Sequence, residues 1–374
     1  MGRYFATVAR GLEEIAAQEL ITLGASSPQP AFCGVAFSGN QNLLYRVNLW
    51  ARLPFRILVQ VAEFPCQDAD DLYKGVNAID WQPYLTSDHT LAVTATGKTQ
   101  RLNHTHFTAL QVKNAIVDQQ RDRFGERSNI DIKRPDVQVN VHLKQGRAVV
   151  SLDSSGSSLH RRGYRPAIGK APLKESLAAA LIHLSGWQSD QAFCDPLCGS
   201  GTLPLEAALI GLNHAPGLFR DRFGFESWPD FNASLWDRLQ QEAEAAQRDS
   251  LTVPIVGCDR DRDIIIQART NARNSQISHQ VTFTKTDLIE IEAPAASGIL
   301  LCNPPYGERL GKEDNMEGFY KLLGDVLKQR FKGWTAFVLS GNKALAKSIR
   351  LKSSQRIPVY NGSLPCQLMR YDLY

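Results

Sequence analysis

The C-terminal part of this chain alternates apolar runs with helix-like segments, and this alternation restricts its fold more than any other feature. From Ala171 onward, strand-like and helix-like segments follow each other, which is typical of a parallel, doubly wound sheet. The last two runs flank Asn361-Gly362-Ser363 and predict an antiparallel hairpin. The predicted strands span residues 191–194, 254–258, 281–285, 299–302, 334–339, 356–360 and 366–371.

The N-terminal half predicts two smaller α+β units. Residues 4–64 indicate strand, helix, strand, helix and strand. The second unit has a strand over 90–96, a helix over 106–123 and a hairpin that turns at Gln145-Gly146. Neither unit holds a catalytic set of residues, so we expect both to be binding modules. The predicted domains are residues 1–64, 65–155 and 156–374.

Composition places the chain among soluble globular proteins. Its 374 residues are 43% hydrophobic and 21% charged, with a net charge of +4 that is compatible with a polyanionic partner. The N-terminus lacks the apolar core of a signal peptide, and no apolar run reaches membrane-spanning length. The seven cysteines include no CxxC pair. We therefore expect a cytoplasmic protein with reduced thiols, no metal site and no membrane contact.

A glycine-rich turn follows the first predicted strand of the C-terminal sheet. Glycines at a strand-to-helix turn let the backbone approach a ligand closely. Pro204 stands where a dinucleotide fingerprint has its third glycine, and no P-loop Lys-Ser/Thr follows, so a pyrophosphate is not the expected ligand. The predicted cofactor residues of this turn are Asp195, Pro196, Cys198, Gly199, Ser200, Gly201 and Thr202.

Acidic residues follow the next two predicted strands. Asp259, with Arg260 beside it, can accept hydrogen bonds from both hydroxyls of a ribose. Asp287, before Leu288, can meet an adenine amino group. Such ligands lie outside the carboxyl ends of the strands, where these segments converge. Ribose and adenine without pyrophosphate indicate S-adenosylmethionine as the cofactor and disfavour a nicotinamide nucleotide.

The tetrapeptide Asn303-Pro304-Pro305-Tyr306 follows the fourth predicted strand. Two consecutive prolines hold the backbone rigid and leave the Pro304 carbonyl without a ladder partner. The Asn303 amide oxygen and this carbonyl can accept both hydrogens of a planar amino group, and Tyr306 can stack on the ring that carries it. These four residues are the predicted catalytic site for methyl transfer to such an amine.

The amine geometry leaves the substrate open. It fits the N2 atom of guanine, the N6 atom of adenine in DNA or RNA, and the side-chain amide of glutamine in a protein. A non-catalytic RNA-binding protein with a relic methyltransferase fold is the alternative outside the enzymes. A relic is expected to lose Asn303 or the glycines of the turn, and this chain retains them.

These residues resemble the THUMP-domain methyltransferases that modify guanine N2 in the rRNA of the large ribosomal subunit. The glycine turn is similar to the cofactor loop of that family, Asp259 and Asp287 to its ribose and adenine contacts, and the Asn303 tetrapeptide to its catalytic loop. The segment His160-Arg161-Arg162-Gly163-Tyr164-Arg165, followed by Ala171-Pro172-Leu173-Lys174-Glu175, is similar to its lead-in. The likeness is to the guanine-N2 half of the larger fused members.

The resemblance implies a class I methyltransferase domain preceded by ferredoxin-like and THUMP domains. It implies S-adenosylmethionine as the cofactor and 23S rRNA, or an assembly intermediate of the large subunit, as the partner. A tRNA guanine is the nearest competing target, because related enzymes use THUMP modules on tRNA.

The same resemblance implies that basic side chains of the THUMP module and the lead-in contact RNA phosphates. The predicted contacts are Lys98, Arg101, Lys113, Arg121, Arg161, Arg162, Arg165, Arg309 and Lys312. Residues 213–250 form an aromatic-rich insertion, which we expect to be a packed lid or helical appendage near the site.

Overall fold

The computed structural model describes residues 1–165, 173–306 and 316–374. The chain divides into two compact units, and neither unit is continuous in sequence. The first unit comprises residues 1–8, 16–159 and 220–240, and the second comprises residues 9–15, 160–219 and 241–374.

The first unit is built on a single eight-stranded sheet with the order β2-β3-β1-β4-β8-β7-β5-β6. Its strands are β1 (Gly2–Thr7), β2 (Gln29–Ala31), β3 (Gly34–Gly39), β4 (Arg56–Pro65), β5 (Thr90–Gly97), β6 (Asn129–Ile130), β7 (Val137–Lys144) and β8 (Arg147–Asp153). Pairing is antiparallel except where β5 lies parallel to β6 and β7. The antiparallel pair β4–β8 joins the two predicted N-terminal modules into one sheet.

Three of the four helices described in the N-terminal segment begin at a residue whose side chain caps the helix. The four helices are α1 (Glu13–Thr22), α2 (Gln41–Trp50), α3 (Ala69–Asn77) and α4 (Thr105–Phe124). Asn40 caps α2 by accepting from the Leu43 amide, and Gly125 ends α4 with a φ of 76°. The prediction of a helix over 106–123 is confirmed, whereas α3 and the short strands β2 and β6 were not predicted.

Residues 220–240 belong to the C-terminal half of the sequence but pack in the core of the first unit. Phe225 stacks on Tyr45 with 4.3 Å between ring centroids, and Trp236 meets both rings edge-on. Phe223 and Phe231 pack around the same cluster. The expected lid or helical appendage over 213–250 is packed and partly helical, and the aromatic side chains of residues 223–236 belong to the core of the first unit. Its place near the site stays a prediction.

The second unit contains a seven-stranded sheet with the order β11-β10-β9-β12-β13-β15-β14. Its strands are β9 (Ala192–Asp195), β10 (Ile255–Asp259), β11 (Thr282–Lys285), β12 (Gly298–Cys302), β13 (Thr335–Ser340), β14 (Gln355–Asn361) and β15 (Leu364–Asp372). The first five are parallel, and β15 runs antiparallel to β13 and β14. The seven predicted strands and the doubly wound sheet with a terminal hairpin are confirmed.

Helices cover this sheet as expected for a doubly wound fold. The remaining helices of the chain are α5 (Glu175–Ser185), α6 (Thr202–Gly211), α7 (Ala233–Ala245), α8 (Arg262–Asn274), α9 (Met316–Arg330) and α10 (Lys343–Lys347). On α9, Leu323 and Leu327 pack with Leu300 of β12 and Val338 of β13 in one fully buried cluster. Across the three described ranges, no helix is long and apolar enough to span a membrane.

Replacing Phe225 by Ala is expected to destabilise the first unit by about 3–5 kcal/mol, because the change leaves a cavity under Tyr45. Phe225 is fully buried, whereas Phe32 of the same unit is 74% exposed. Phe32→Ala is therefore the control and should change the free energy of unfolding by less than about 0.5 kcal/mol. Urea unfolding of both variants measures the difference, and equal stability of the two would contradict the role of residues 220–240 in this core.

Candidate active site

The predicted site residues meet at one edge of the seven-stranded sheet. Strands β9 and β12 are parallel neighbours in the sheet. The strand that follows β9 in sequence, β10, pairs on the far side of β9, and the strand that follows β12, β13, pairs on the far side of β12. Asp195 ends β9, Asn303 follows β12, and Asp259 ends β10. Because these strands are parallel, their carboxyl ends open onto the same crevice, which is where doubly wound folds bind ligands.

The glycine turn after β9 exposes its backbone to that crevice. Gly199 has a φ of 51°, and a side chain there would meet no protein atom within 4 Å. Its amide donates to Asp259 Oδ2 at 3.1 Å, which connects the turn to the end of β10. Gly201 has a φ of 86°, and an added Cβ would come within 2.7 Å of the Phe283 ring. The turn therefore borders open space at Gly199 and packs tightly at Gly201.

Two carboxylates flank this turn in different environments. Asp195 is buried and accepts from the Leu197 amide at 3.0 Å through Oδ1. Burial, and then the nearby Asp259, raise the pKa of the Asp195 carboxyl well above its usual range. Asp259 is only partly buried and accepts from the Asp261 amide at 2.9 Å. Asp195 is thus enclosed by the turn, while Asp259 is accessible to a ligand at the end of β10.

The third acidic position lies after β11. Asp287 is exposed and caps a short 3-10 turn by accepting from the Ile289 amide at 3.2 Å through Oδ1. Leu288 beside it is buried, and Arg260 is exposed. Within the described ranges, no group of three His, Cys, Asp or Glu side chains is placed to hold a metal ion.

The sequence did not predict two side chains that form hydrogen bonds with the glycine turn. Asn271 of α8 is fully buried and donates from Nδ2 to the Ser200 carbonyl at 3.0 Å. Arg165 donates to Thr202 Oγ1 at 2.9 Å from the other side. A signal for Asn271 was present, because it is a polar residue on the face of α8 that also carries the buried Ile265 and Ala268. No comparable signal linked Arg165 to Thr202.

Two tyrosine hydroxyls form hydrogen bonds with the tetrapeptide that the sequence predicts to be catalytic. Tyr306 donates to Asn303 Oδ1, and Tyr320 of α9 donates to the Pro305 carbonyl at 3.2 Å. The Pro304 carbonyl accepts no hydrogen bond from the described residues, as predicted. The Tyr306 ring lies close to Gly341, and burial raises the pKa of its hydroxyl. Tyr306 thus positions Asn303 in this structure, a contact that sequence reasoning did not foresee.

Two of the predicted phosphate contacts are wrong. Arg162 is 2% exposed and lies 3.6 Å from the buried Glu206, whose carboxylate also accepts from the Tyr164 hydroxyl at 2.8 Å. Arg165 pairs with Glu175 at 3.2 Å and also donates to the Leu173 carbonyl. Both guanidinium groups neutralise buried carboxylates, so they are structural and are not presented to a polyanion.

The other predicted phosphate contacts differ in their availability. Lys98 and Arg161 are exposed, and Lys113 is partly buried. Arg101 pairs with Asp68 at 3.1 Å, and Arg121 lies 3.9 Å from Asp118. The predictions at Ala171, Pro172, Arg309 and Lys312 fall outside the described residues.

The fold and site define a class of enzyme. The strand order, the glycine turn and the carboxylates at the strand ends are those of a class I, S-adenosylmethionine-dependent methyltransferase fold. A family model described as "RMKL-like, methyltransferase domain" matches residues 162–370, which is more than half of the chain. Models of the THUMP domain and of the RlmL ferredoxin-like domain match residues 66–153 and 3–58.

Known proteins agree with these matches over nearly the whole chain. A Synechocystis sp. protein with a provisional RNA methyltransferase name is 55% identical over 99% of this chain and 97% of its own length. The ribosomal RNA large subunit methyltransferase K/L of Syntrophotalea carbinolica is 43% identical over 99% of this chain and 53% of its own length. The crystal structure of SMU.472 complexed with SAH, also provisionally named a methyltransferase, is 33% identical with a TM-score of 0.90, covering 100% of this chain and 98% of that one.

The chain belongs to the RMKL-like methyltransferase family. It spans about half the length of the K/L relatives, at 53% of the Syntrophotalea carbinolica protein.

Replacing Arg165 by Ala is expected to lower the free energy of unfolding by about 3–5 kcal/mol, because Glu175 would stay buried without its counter-ion. Arg161 is an exposed arginine four residues earlier, and Arg161→Ala is the control. Urea unfolding of the two variants checks the expectation. If Arg165→Ala kept wild-type stability but weakened RNA binding, the structural assignment of this side chain would be overturned.

Proposed function

We propose that the enzyme transfers a methyl group from S-adenosylmethionine to the exocyclic N2 atom of a guanosine in large-subunit rRNA. Membership of an RNA methyltransferase family supports the reaction class. The observation that carries the proposal is the position of Asn303 and the free Pro304 carbonyl after β12, beside the glycine turn of β9. Two acceptors for one amino group then stand at the crevice where the cofactor would bind.

The residues at the strand ends fit S-adenosylmethionine. The open space beside Gly199 would take the ligand near the backbone, and the partly exposed Asp259 carboxylate would accept from its ribose hydroxyls. Asp287 keeps a carboxylate oxygen for the adenine amino group, with Leu288 as an apolar neighbour. The turn also contains Pro196, Cys198, Ser200 and Thr202, and Arg260 is exposed directly after β10. When bound, this cofactor supplies a methyl group on a positively charged sulfur.

The amino group of a base is a poor nucleophile because its lone pair is delocalised into the ring. Asn303 Oδ1 and the Pro304 carbonyl would accept its two N–H bonds and orient the nitrogen. As the nitrogen–methyl bond forms and the sulfur–methyl bond breaks, positive charge grows on the nitrogen. The same two acceptors stabilise that charge, which is electrostatic preorganisation. Correct placement of the reacting atoms supplies much of the remaining acceleration.

A general base is not required before transfer, because the amino proton becomes acidic only after the methyl group has arrived. Pro305 contributes rigidity, and Tyr320 fixes the Pro305 carbonyl so that the acceptors keep their direction. A target base in a paired region must leave its stack to reach this loop.

The THUMP domain supports RNA as the substrate. We further propose that residues 65–155 bind RNA and residues 156–374 perform the chemistry, with residues 1–64 as a ferredoxin-like domain. Exposed Lys98 and Arg161 and the partly buried Lys113 remain proposed phosphate contacts. We also propose a cytoplasmic location, because the seven cysteines include no CxxC pair and are expected to be reduced.

The test is methylation of separate pools of unmodified large-subunit rRNA, tRNA and DNA with isotope-labelled S-adenosylmethionine. Each pool is digested, and its modified nucleosides are identified by mass spectrometry. The expected product is N2-methylguanosine in the rRNA pool alone. Label confined to tRNA, or N6-methyladenosine in any pool, would overturn the substrate, and no transfer to any nucleic acid would overturn the proposed function.

Asn303→Ala is expected to reduce kcat by about 100- to 1,000-fold, because one of the two acceptors for the developing charge is lost. Its affinity for S-adenosylmethionine, measured by calorimetry, should be unchanged.

Asp259→Ala should weaken the affinity for S-adenosylmethionine by about 10- to 100-fold, since hydrogen bonds to a charged group are removed. Asp261→Ala, which removes the exposed cap of α8, is the control. Equal affinities of the Asp259 and Asp261 variants would remove Asp259 from the cofactor site.

Tyr306→Phe separates the two roles open to this residue. The change removes the hydrogen bond to Asn303 and keeps the aromatic ring. Loss of one hydrogen bond of about 1 kcal/mol should lower kcat roughly fivefold, with the KM for RNA unchanged. Tyr306→Ala should in addition raise the KM, because stacking on the base is lost. Wild-type kcat in Tyr306→Phe would show that the hydroxyl does not position Asn303 during turnover.

A further inference from the structure

The last strand of the eight-stranded sheet lies within a surface of mixed apolar and cationic character. Among the described residues, strand β6 pairs with β5 and stands at the end of the sheet order. We call the following side chains the β6 surface: Phe124, Arg127, Ile130, Ile132, Lys133 and Arg134. All six are exposed, and they lie within eleven consecutive residues of the first unit.

The apolar side chains of the β6 surface are exposed on an anchored backbone. Phe124 is 53% exposed and Ile132 is 84% exposed. The loop between α4 and β6 is fixed by the buried Ser128, whose amide donates to Gln120 Oε1 at 2.9 Å and whose hydroxyl donates to the Thr86 carbonyl at 3.0 Å. The exposure of these side chains is therefore a property of the fold, and clustered exposed apolar side chains mark interaction sites.

The cations of the β6 surface form no ion pair within the described ranges. Arg127, Lys133 and Arg134 take part in none of the ion pairs among the described residues, and Arg127 donates to the Ser128 carbonyl at 3.5 Å. The stretch from 124 to 134 holds two carboxylates: Glu126 accepts from the Ser87 hydroxyl at 3.3 Å, and Asp131 Oδ1 accepts the amides of Lys133 at 2.8 Å and Arg134 at 3.1 Å. Three cations against two carboxylates leave this surface with a net positive charge, which favours a polyanion.

Other cations of the same unit are neutralised by neighbouring aspartates. Arg101 pairs with Asp68 at 3.1 Å, and Arg123 pairs with Asp80 at 3.0 Å. Arg121 lies 3.9 Å from Asp118. The β6 surface differs from these positions because its three cations form no ion pair in the described part of the chain and lie close in sequence to an exposed aromatic side chain.

We propose that the β6 surface binds an unpaired segment of the RNA substrate. Phosphates contact Arg127, Lys133 and Arg134, and an unstacked base lies on Phe124 with Ile132 beside it. Aromatic side chains among unpaired cations suit single strands, whose bases have free faces, whereas duplex RNA buries those faces. This inference deepens the proposed function and rests on RNA as its substrate.

The test measures binding of a fluorescent, unstructured RNA of about sixteen nucleotides, close to the upper site size of known single-strand modules. The first variant combines Arg127→Ala, Lys133→Ala and Arg134→Ala. The matched control combines Lys74→Ala, Arg123→Ala and Arg147→Ala, which removes the same charge from ion-paired positions of the same unit. The first variant should reduce the slope of log K against log salt by about 2, and the control should leave it nearly unchanged.

Phe124→Ala provides a second, independent variant. Loss of one stacked base should raise the Kd by about 5- to 100-fold. Phe107→Ala removes another exposed phenylalanine of α4 and is the control. Thermal melting confirms that each variant is folded, and the exposed positions make this the expected result.

The outcomes separate this inference from the proposed function. A wild-type protein that binds the single strand while both β6 variants lose it supports the inference, even if no N2-methylguanosine is formed. Equal salt slopes for the two triple variants, or a Phe124→Ala protein with wild-type Kd, would overturn it even if rRNA is methylated. Tighter binding of a duplex of the same sequence would also overturn it.

Discussion

The reversal of strand order between β9 and β12 is the constraint on which the candidate site depends. Because the chain proceeds from β9 toward one edge and from β12 toward the other, the helices that follow them separate and leave a crevice between two strand ends. Asp195 and Asn303 come to the same place through backbone pairing alone, since Leu300 of β12 lies opposite Cys194 of β9. Backbone pairing therefore aligns the glycine turn with the Asn303 tetrapeptide before any side chain makes a specific contact.

The side chains then hold each loop in one conformation. Behind the glycine turn, the Asn271 amide and the Arg165 guanidinium bond to Ser200 and Thr202. Behind the catalytic loop, the Tyr320 hydroxyl bonds to Pro305. All three partners are buried or nearly so, where an unmade hydrogen bond is costly. This arrangement keeps the exposed face of both loops free for ligands.

Features that depend on neighbouring residues could be predicted from the sequence, and features that depend on distant partners could not. The strands around Leu300 and Val338 follow from apolar runs, and the turn at Gln145-Gly146 follows from its residue types. The bond between Asn271 and Ser200 joins residues 71 positions apart. The periodicity of α8 places Asn271 on the buried face of the helix but does not indicate its partner. Arg162 stands in a basic run typical of a solvated surface, and only the fold places Glu206 beside it. The basic run therefore led to a wrong prediction of a phosphate contact at Arg162, because the folded chain places the Glu206 carboxylate beside it.

The discontinuous first unit has a consequence for protein synthesis. Its sheet is complete when Asp153 has been made, but Tyr45 lacks Phe225 and Trp236 until residue 236 has been added. At about 5–20 residues per second, a ribosome needs roughly 4–16 s to make the intervening stretch. During that interval the Tyr45 ring lacks two of the aromatic rings that pack on it in the folded unit, so this core can close only after most of the chain has been made.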